Sequence, residues 1–196
     1  MVDAAVLRSI AKWPDVPAAY GWLLLDPRGD WHVKGDRITN PAVVAFIGRN
    51  YTHDADGRWY FQNGPQRVFV TLGYTPLVAR TVAGPALGLE THTGQPIERV
   101  DGVWLDERGA LLLGCLGTVA VLHDRDLEAA LPALCDGRDT ALADAQLEEW
   151  LGGAPLPVHL RLAQGPVPVE RIERARVAAR FGFDPAPRPR PGEPEC

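Results

Sequence analysis

The sequence predicts an α+β fold: mostly antiparallel sheet built from β-hairpins, with four or five helices packed on it. Three observations carry that expectation. A pattern with Asp first and Gly fourth occurs at Asp26-Pro27-Arg28-Gly29, Asp54-Ala55-Asp56-Gly57 and Asp106-Glu107-Arg108-Gly109. It fits a type I turn closed by a glycine of positive φ, the three-residue hairpin with a bulge. Between such turns the chain alternates with a period of two, as in Val68, Val70 and Leu72 against Phe69, Thr71 and Gly73. Elsewhere, apolar residues recur at helical spacing between capping residues and Pro or Gly stops.

The elements follow in order. Residues 3–12 read as a helix, with Asp3 as N-cap, Val6, Ile10 and Trp13 on one stripe, and Pro14 as the stop. Pro14 and Pro17 frame a short extended linker. The first and third Asp turns predict hairpins over 20–34 and 102–114, and the turn at 54–57 is read as leading from a helix into a single strand. Asn40-Pro41 opens a second helix with Val43, Phe46 and Ile47 inward. Residues 58–62 and 67–73 form an antiparallel pair. Because Pro65 has no N–H to close a tight turn, a four-residue loop over Asn63-Gly64-Pro65-Gln66 is expected. Further short strands are expected at 86–92, 103–105, 110–114 and 117–122. Asp124 or Asp126 then caps a helix bearing Leu127, Leu131 and Leu134, divided or kinked at Pro132. Helix 140–151, strand 157–163 and helix 169–181 complete the expected domain.

Residues 1–183 are read as one α+β domain, and 184–196, with five prolines and no large apolar residue, as a disordered or extended tail. The order tryptophan, Asp turn, helix occurs twice, with turns at Asp26 and Asp106. It is read either as an internal duplication or as the generic repetition of hairpins in an antiparallel sheet, and base rates favour the second.

Composition excludes several classes. Apolar residues make up 46% and charged residues 23%, so the chain is neither wholly disordered nor a coiled coil. No apolar run reaches the ~18–20 residues of a membrane helix, so no membrane is expected as a partner. Net charge is −5 and the charges are interspersed, which argues against nucleic acid. The one locally basic stretch, Arg171 to Arg180, is interleaved with Glu170 and Glu173 at helical spacing and is read as a solvated helix face. Three widely spaced cysteines, Cys115, Cys135 and Cys196, form neither a disulfide framework nor a zinc motif. With no signal sequence at the first residues, a reduced cytoplasmic protein is expected.

No nucleophile elbow, phosphate loop or metal-spaced histidine pair occurs. No cofactor and no metal are therefore expected. The aspartates beside His53 and His123 are read as turn and cap residues. Alternation would set Glu90 and His92 on one strand face as an acid/base pair, and the alternative function is a small metal-dependent or acid/base hydrolase using His53, His92 and nearby carboxylates. A half-solvated strand explains that alternation as well. The densest polar and aromatic cluster is Trp59, Tyr60, Asn63, Gln66, Arg67, Tyr74 and Arg80. An arginine among aromatics and amides could clamp a carboxylate or phosphate, or simply cover a sheet edge.

The stretch Phe61-Gln62-Asn63-Gly64-Pro65-Gln66-Arg67-Val68-Phe69-Val70, followed by Tyr74-Thr75-Pro76, is similar to a family of uncharacterised proteobacterial proteins. Trp13-Pro14-Asp15-Val16-Pro17 and Tyr20-Gly21-Trp22-Leu23 resemble the N-terminal part of that family. The resemblance spans roughly residues 4–183 and implies no established activity, cofactor or catalytic residue. The expected function is a non-enzymatic binding or interaction protein whose partner is another protein or a small anionic ligand. The aromatic and arginine cluster is its contact face.

Overall fold

In the computed structural model the described residues are 4–12, 16–84 and 87–193. The Asp3 cap, the Trp13 and Pro14 end of the first helix, the start of the strand expected from residue 86, and Cys196 lie outside them. Helix α1 runs Ala4–Lys12. The chain divides into two compact units: residues 1–76 with 178–196, and residues 77–177. The second is therefore inserted in the sequence of the first.

The first unit holds β1 (Ala19–Leu25), β2 (Trp31–Val33), β3 (Asp36–Arg37), α2 (Pro41–Arg49), β4 (Tyr51–His53), β5 (Trp59–Asn63) and β6 (Gln66–Leu72). Its sheet has the order β3-β2-β1-β6-β5-β4. Asn40 caps α2 as expected, its side-chain oxygen accepting from the Ala42 and Val43 amides. On one sheet face lie Leu23, Leu25, Trp31, Phe61, Val70 and Leu72, all buried. Helix α2 packs there, with Phe46 edge-on to Phe61 at 5.4 Å. The opposite face carries Tyr20, Arg58, Tyr60, Arg67 and Phe69.

The second unit holds β7 (Leu77–Val82), β8 (Gly88–Thr91), β9 (Gly102–Asp106), β10 (Leu111–Cys115), β11 (Thr118–Leu122), α3 (Leu127–Ala130), β12 (Leu134–Cys135), α4 (Asp144–Leu151), β13 (His159–Leu162) and β14 (Gly165–Ile172). Its sheet order is β12-β13-β14-β9-β10-β11-β7-β8. The chain then passes into α5 (Val177–Phe181).

The two units repeat one topology. β1, β2, β3, β4, β5 and β6 correspond to β9, β10, β11, β12, β13 and β14 in order and in pairing sense. In each, the last strand returns parallel to the first: β6 beside β1, β14 beside β9. The sheets are thus mixed. A third parallel pair joins β7 to β11. This shared order, down to the parallel closure, is more than hairpin repetition requires, and it supports the duplication reading.

Three expectations need correction. Residues 165–172 are strand β14, not the start of a helix over 169–181. Pro166 and Pro168 sit ahead of the pairing with β9, which begins at Val169, so their missing amides cost no ladder bond on that side. Glu170 accepts instead from the Trp104 indole N–H at 2.9 Å. The 63–66 connection is tight, because Asn63 pairs with Gln66. Gly64 and Pro65 are then the central residues, Gly64 takes φ 57°, and the closing donor belongs to Gln66. The turn at 54–57 joins two strands, β4 and β5. Residues 184–193, read as disordered or extended, are hydrogen-bonded to the first unit. The Pro185 carbonyl accepts from the Leu72 amide at 2.8 Å, and the Asp184 amide donates to Gly57 at 3.0 Å.

Candidate functional site

The site grows from the second Asp turn. The Asp54 side chain accepts from the amides of Asp56 and Arg58, both at 3.0 Å, and its carbonyl from Gly57. That fixes the entry of β5 and points Arg58 onto the face carrying Tyr60 and Phe69. Gly57 takes φ 72°, and a Cβ there would run into the Gly182 carbonyl oxygen. Only glycine lets Gly182 and Phe183 pack on this turn.

Arg58 is 7% exposed. Its Nε donates to Asp54 at 2.7 Å. Its two terminal nitrogens donate to both oxygens of Glu193, each at 3.1 Å. The Tyr20 hydroxyl donates to the same carboxylate at 2.7 Å, and so does the Arg190 amide at 3.0 Å. Arg190 itself pairs with Asp56. The guanidinium lies 4.7 Å from the Phe69 ring centre, and Tyr20 stacks on Phe69 at 4.5 Å. Tyr60 meets Phe69 edge-on, and Arg67 lies over Tyr60. The result is a carboxylate cradle: a planar fork, a phenol and an amide against an aromatic floor.

Its electrostatics follow. The Arg58 fork, the Arg190 amide and the Tyr20 hydroxyl hold the Glu193 carboxyl down at about 2. Burial, then the hydrogen bond to Glu193, pushes Tyr20 up to about 12. Burial alone would raise Asp54, but the Arg58 bonds outweigh it and the carboxyl lies below its ordinary value. Arg58 is held firmly protonated, first by Glu193.

The sequence candidates distribute unevenly around this cradle. Tyr60 is part of its floor. Arg67 is exposed and reaches it only through Tyr60. Trp59 is buried on the other sheet face, against Tyr51 and His53. Gln66 donates to the Pro17 carbonyl at 3.0 Å, Asn63 is exposed, and Tyr74 is buried. Arg80 belongs to the second unit, where it pairs with Asp126 at 2.8 Å. Arg58, Tyr20 and Glu193 were missed. One signal was available: Arg58 lies four residues after a turn aspartate, within reach of that carboxylate, to which its Nε donates.

The acid/base candidates are held by local bonds. His53 Nδ1 contacts the Asp54 carbonyl at 2.9 Å. His92 lies beyond the end of β8, and its Nδ1 accepts from the Val78 amide at 3.2 Å, so it does not share a strand face with Glu90. Glu90 is exposed on β8, opposite Arg80. His53 belongs to the first unit, Glu90 and His92 to the second. His123, rather than Asp124 or Asp126, caps the turn before α3, accepting from Arg125 at 3.1 Å. Among the described residues no three His, Cys, Asp or Glu side chains are grouped to hold a metal ion. No helix among them is long and apolar enough to cross a membrane.

The fold and cradle define a class: an α+β protein of two topologically equivalent units, one carrying a buried arginine that grips a carboxylate. The family described as "Protein of unknown function (DUF2946)" matches residues 2–188, and the chain belongs to it. The match takes in Asp184 to Arg188 of the segment read as a tail. No curated protein matches. Among solved structures, a DUF1285 family protein from Silicibacter pomeroyi DSS-3 is similar, with 14% identity over 77% of this chain and 80% of that one, and a TM-score of 0.53. That likeness concerns the fold alone. A DUF1285 family protein from Shewanella baltica OS155 matches at 21% identity over 59% of this chain and 91% of that one, with a TM-score of 0.42.

Proposed function

We propose that this is a non-catalytic binding protein whose first unit reads a carboxylate on an extended acidic segment. One observation carries the reading: the bidentate grip of Arg58 on Glu193. Asp54 orients the guanidinium through Nε, which leaves both terminal nitrogens to recognise a second carboxylate. Glu193 stands where the ligand carboxylate would bind, and its side chain is 31% exposed, so exchange needs little unfolding. Phe69 and Tyr20 shield the guanidinium from water, which strengthens its charge-assisted bonds. The local bonds holding His53 and His92 favour a binding role over acid/base hydrolysis.

The test is a labelled peptide with the sequence of residues 184–195, titrated by fluorescence anisotropy into the full chain and into Glu193→Gln. An internal occupant competes at high effective concentration, so Glu193→Gln binds the peptide about tenfold or more tighter than the parent chain. Tyr20→Phe, added to Glu193→Gln, weakens it again, and glutarate displaces it. A folded Glu193→Gln chain that binds no peptide overturns the reading.

A further inference from the structure

The first unit has a second concave site, on the opposite face of its sheet from Arg58. A cavity of about 360 Å³ lies between α2 and strands β1, β2, β5 and β6. Leu23, Val33, Phe46, Ile47, Phe61 and Val68 line it. That volume falls within the ~300–1,000 Å³ typical of small-molecule pockets, and the lining is mostly apolar, with Asn63 and Gln66 as its polar members. The lining also includes two partly open residues: Trp22 is 45% exposed and Val43 41%.

A charge lies against one lining residue, Trp22. Lys34 Nζ sits 4.1 Å from the centre of the Trp22 ring. Its backbone amide donates to the Trp22 carbonyl at 2.9 Å, which fixes it beside Val33 and Trp22. Lys34 takes φ 50° as the first central residue of the two-residue Lys34-Gly35 turn that joins β2 to β3. Among the described residues Lys34 forms no ion pair. It is one of only two lysines in the chain. A mostly apolar slot with an ammonium held against one of its lining rings, and no carboxylate on that ammonium, suits a flexible aliphatic chain ending in an anion.

We infer that this cavity binds a medium-length aliphatic carboxylate, with the chain under α2 and the carboxylate at Lys34. This site is independent of the cradle at Arg58.

Decanoate, decanol and butyrate are titrated into the full chain, followed by tryptophan fluorescence and calorimetry. Decanoate binds saturably at one site. Decanol, without the charge, binds about fivefold more weakly, the size of a partly exposed ion pair. Butyrate, without the chain, does not saturate. Lys34→Glu reduces decanoate affinity to the decanol level or below. Val43→Trp, at a position exposed enough to tolerate the ring, fills the slot and abolishes binding. Tyr20→Phe, which weakens peptide binding at the other face, leaves decanoate affinity unchanged. The inference is overturned if decanoate does not saturate, if decanol matches it, or if Val43→Trp binds normally.

Discussion

The second Asp turn of each unit starts from the same backbone and ends in different chemistry. In both, the aspartate accepts from the amides two and four residues on: Asp56 and Arg58 after Asp54, Arg138 and Thr140 after Asp136. In both, the fourth residue takes positive φ, Gly57 at 72° and Asp139 at 62°. The residue that follows differs. In the first unit it is Arg58, buried and bonded to a carboxylate from the far end of the chain. In the second it is Thr140, exposed, and the neighbouring charge, Arg161, pairs with exposed Asp139 at 2.7 Å. One scaffold therefore gives a site in one copy and a plain surface turn in the other. What separates them is a single side chain and the segment that covers it.

The comparison breaks hardest at Gly57. Gly57→Ala adds a Cβ against Gly182 and imposes a non-glycine residue at positive φ, so it destabilises the first unit by about 3 kcal/mol or more. Gly109→Ala, at the matching φ of 79° with nothing within 4 Å, costs only about 1 kcal/mol. Urea denaturation of the two variants measures the gap. Equal costs would mean that residues 182–183 do not press on the turn.

Next in size is the cost of the turn aspartates themselves. Asp106 has a side chain with 0% exposure and bonds Arg108, Ala110 and Arg174. Asp106→Ala removes a buried acceptor and leaves Arg174 without it, costing about 2–3 kcal/mol. Asp136→Ala, on an exposed turn, shifts the denaturation midpoint by clearly less.

The smallest effect is a titration. The Glu193 carboxyl is held at about 2 against an ordinary 4.5. Because its folded value is depressed, its stabilising contribution is complete above the ordinary value and disappears as pH falls toward about 2. The NMR signals of the Arg58 guanidinium and the Glu193 amide should move together with a midpoint near that value. A midpoint at the ordinary value would show that the cradle does not hold the carboxylate in solution.

Local turn chemistry was legible in the sequence because Asp and Gly act within four residues. The Asn40 cap of α2 and the hairpins around Asp26 and Asp106 were read for that reason. The fourth turn, at Asp136, escaped because Asp139 takes the place of glycine, and Asp tolerates the left-handed region. Strand β14 escaped because Glu170 with Arg174, and Glu173 with Arg176, mimic helical pairing, although the second pair, at 2.9 Å, lies past the end of the strand. Strand β7, Leu77–Val82, lacks the alternation that marks a half-buried strand. The cradle was illegible for a different reason. Tyr60 was singled out, but Arg58 meets its partner across 135 residues, in a proline-rich segment whose composition reads as unstructured.

That separation sets a schedule for the newborn chain. Glu193 leaves the ribosome long after Arg58, and the whole inserted unit is synthesised between them. Until then the guanidinium has only Asp54 beside it, and the first unit waits, open on one side, for its last residues. A nascent polypeptide stalled before that point would present an unclosed cation to the cell.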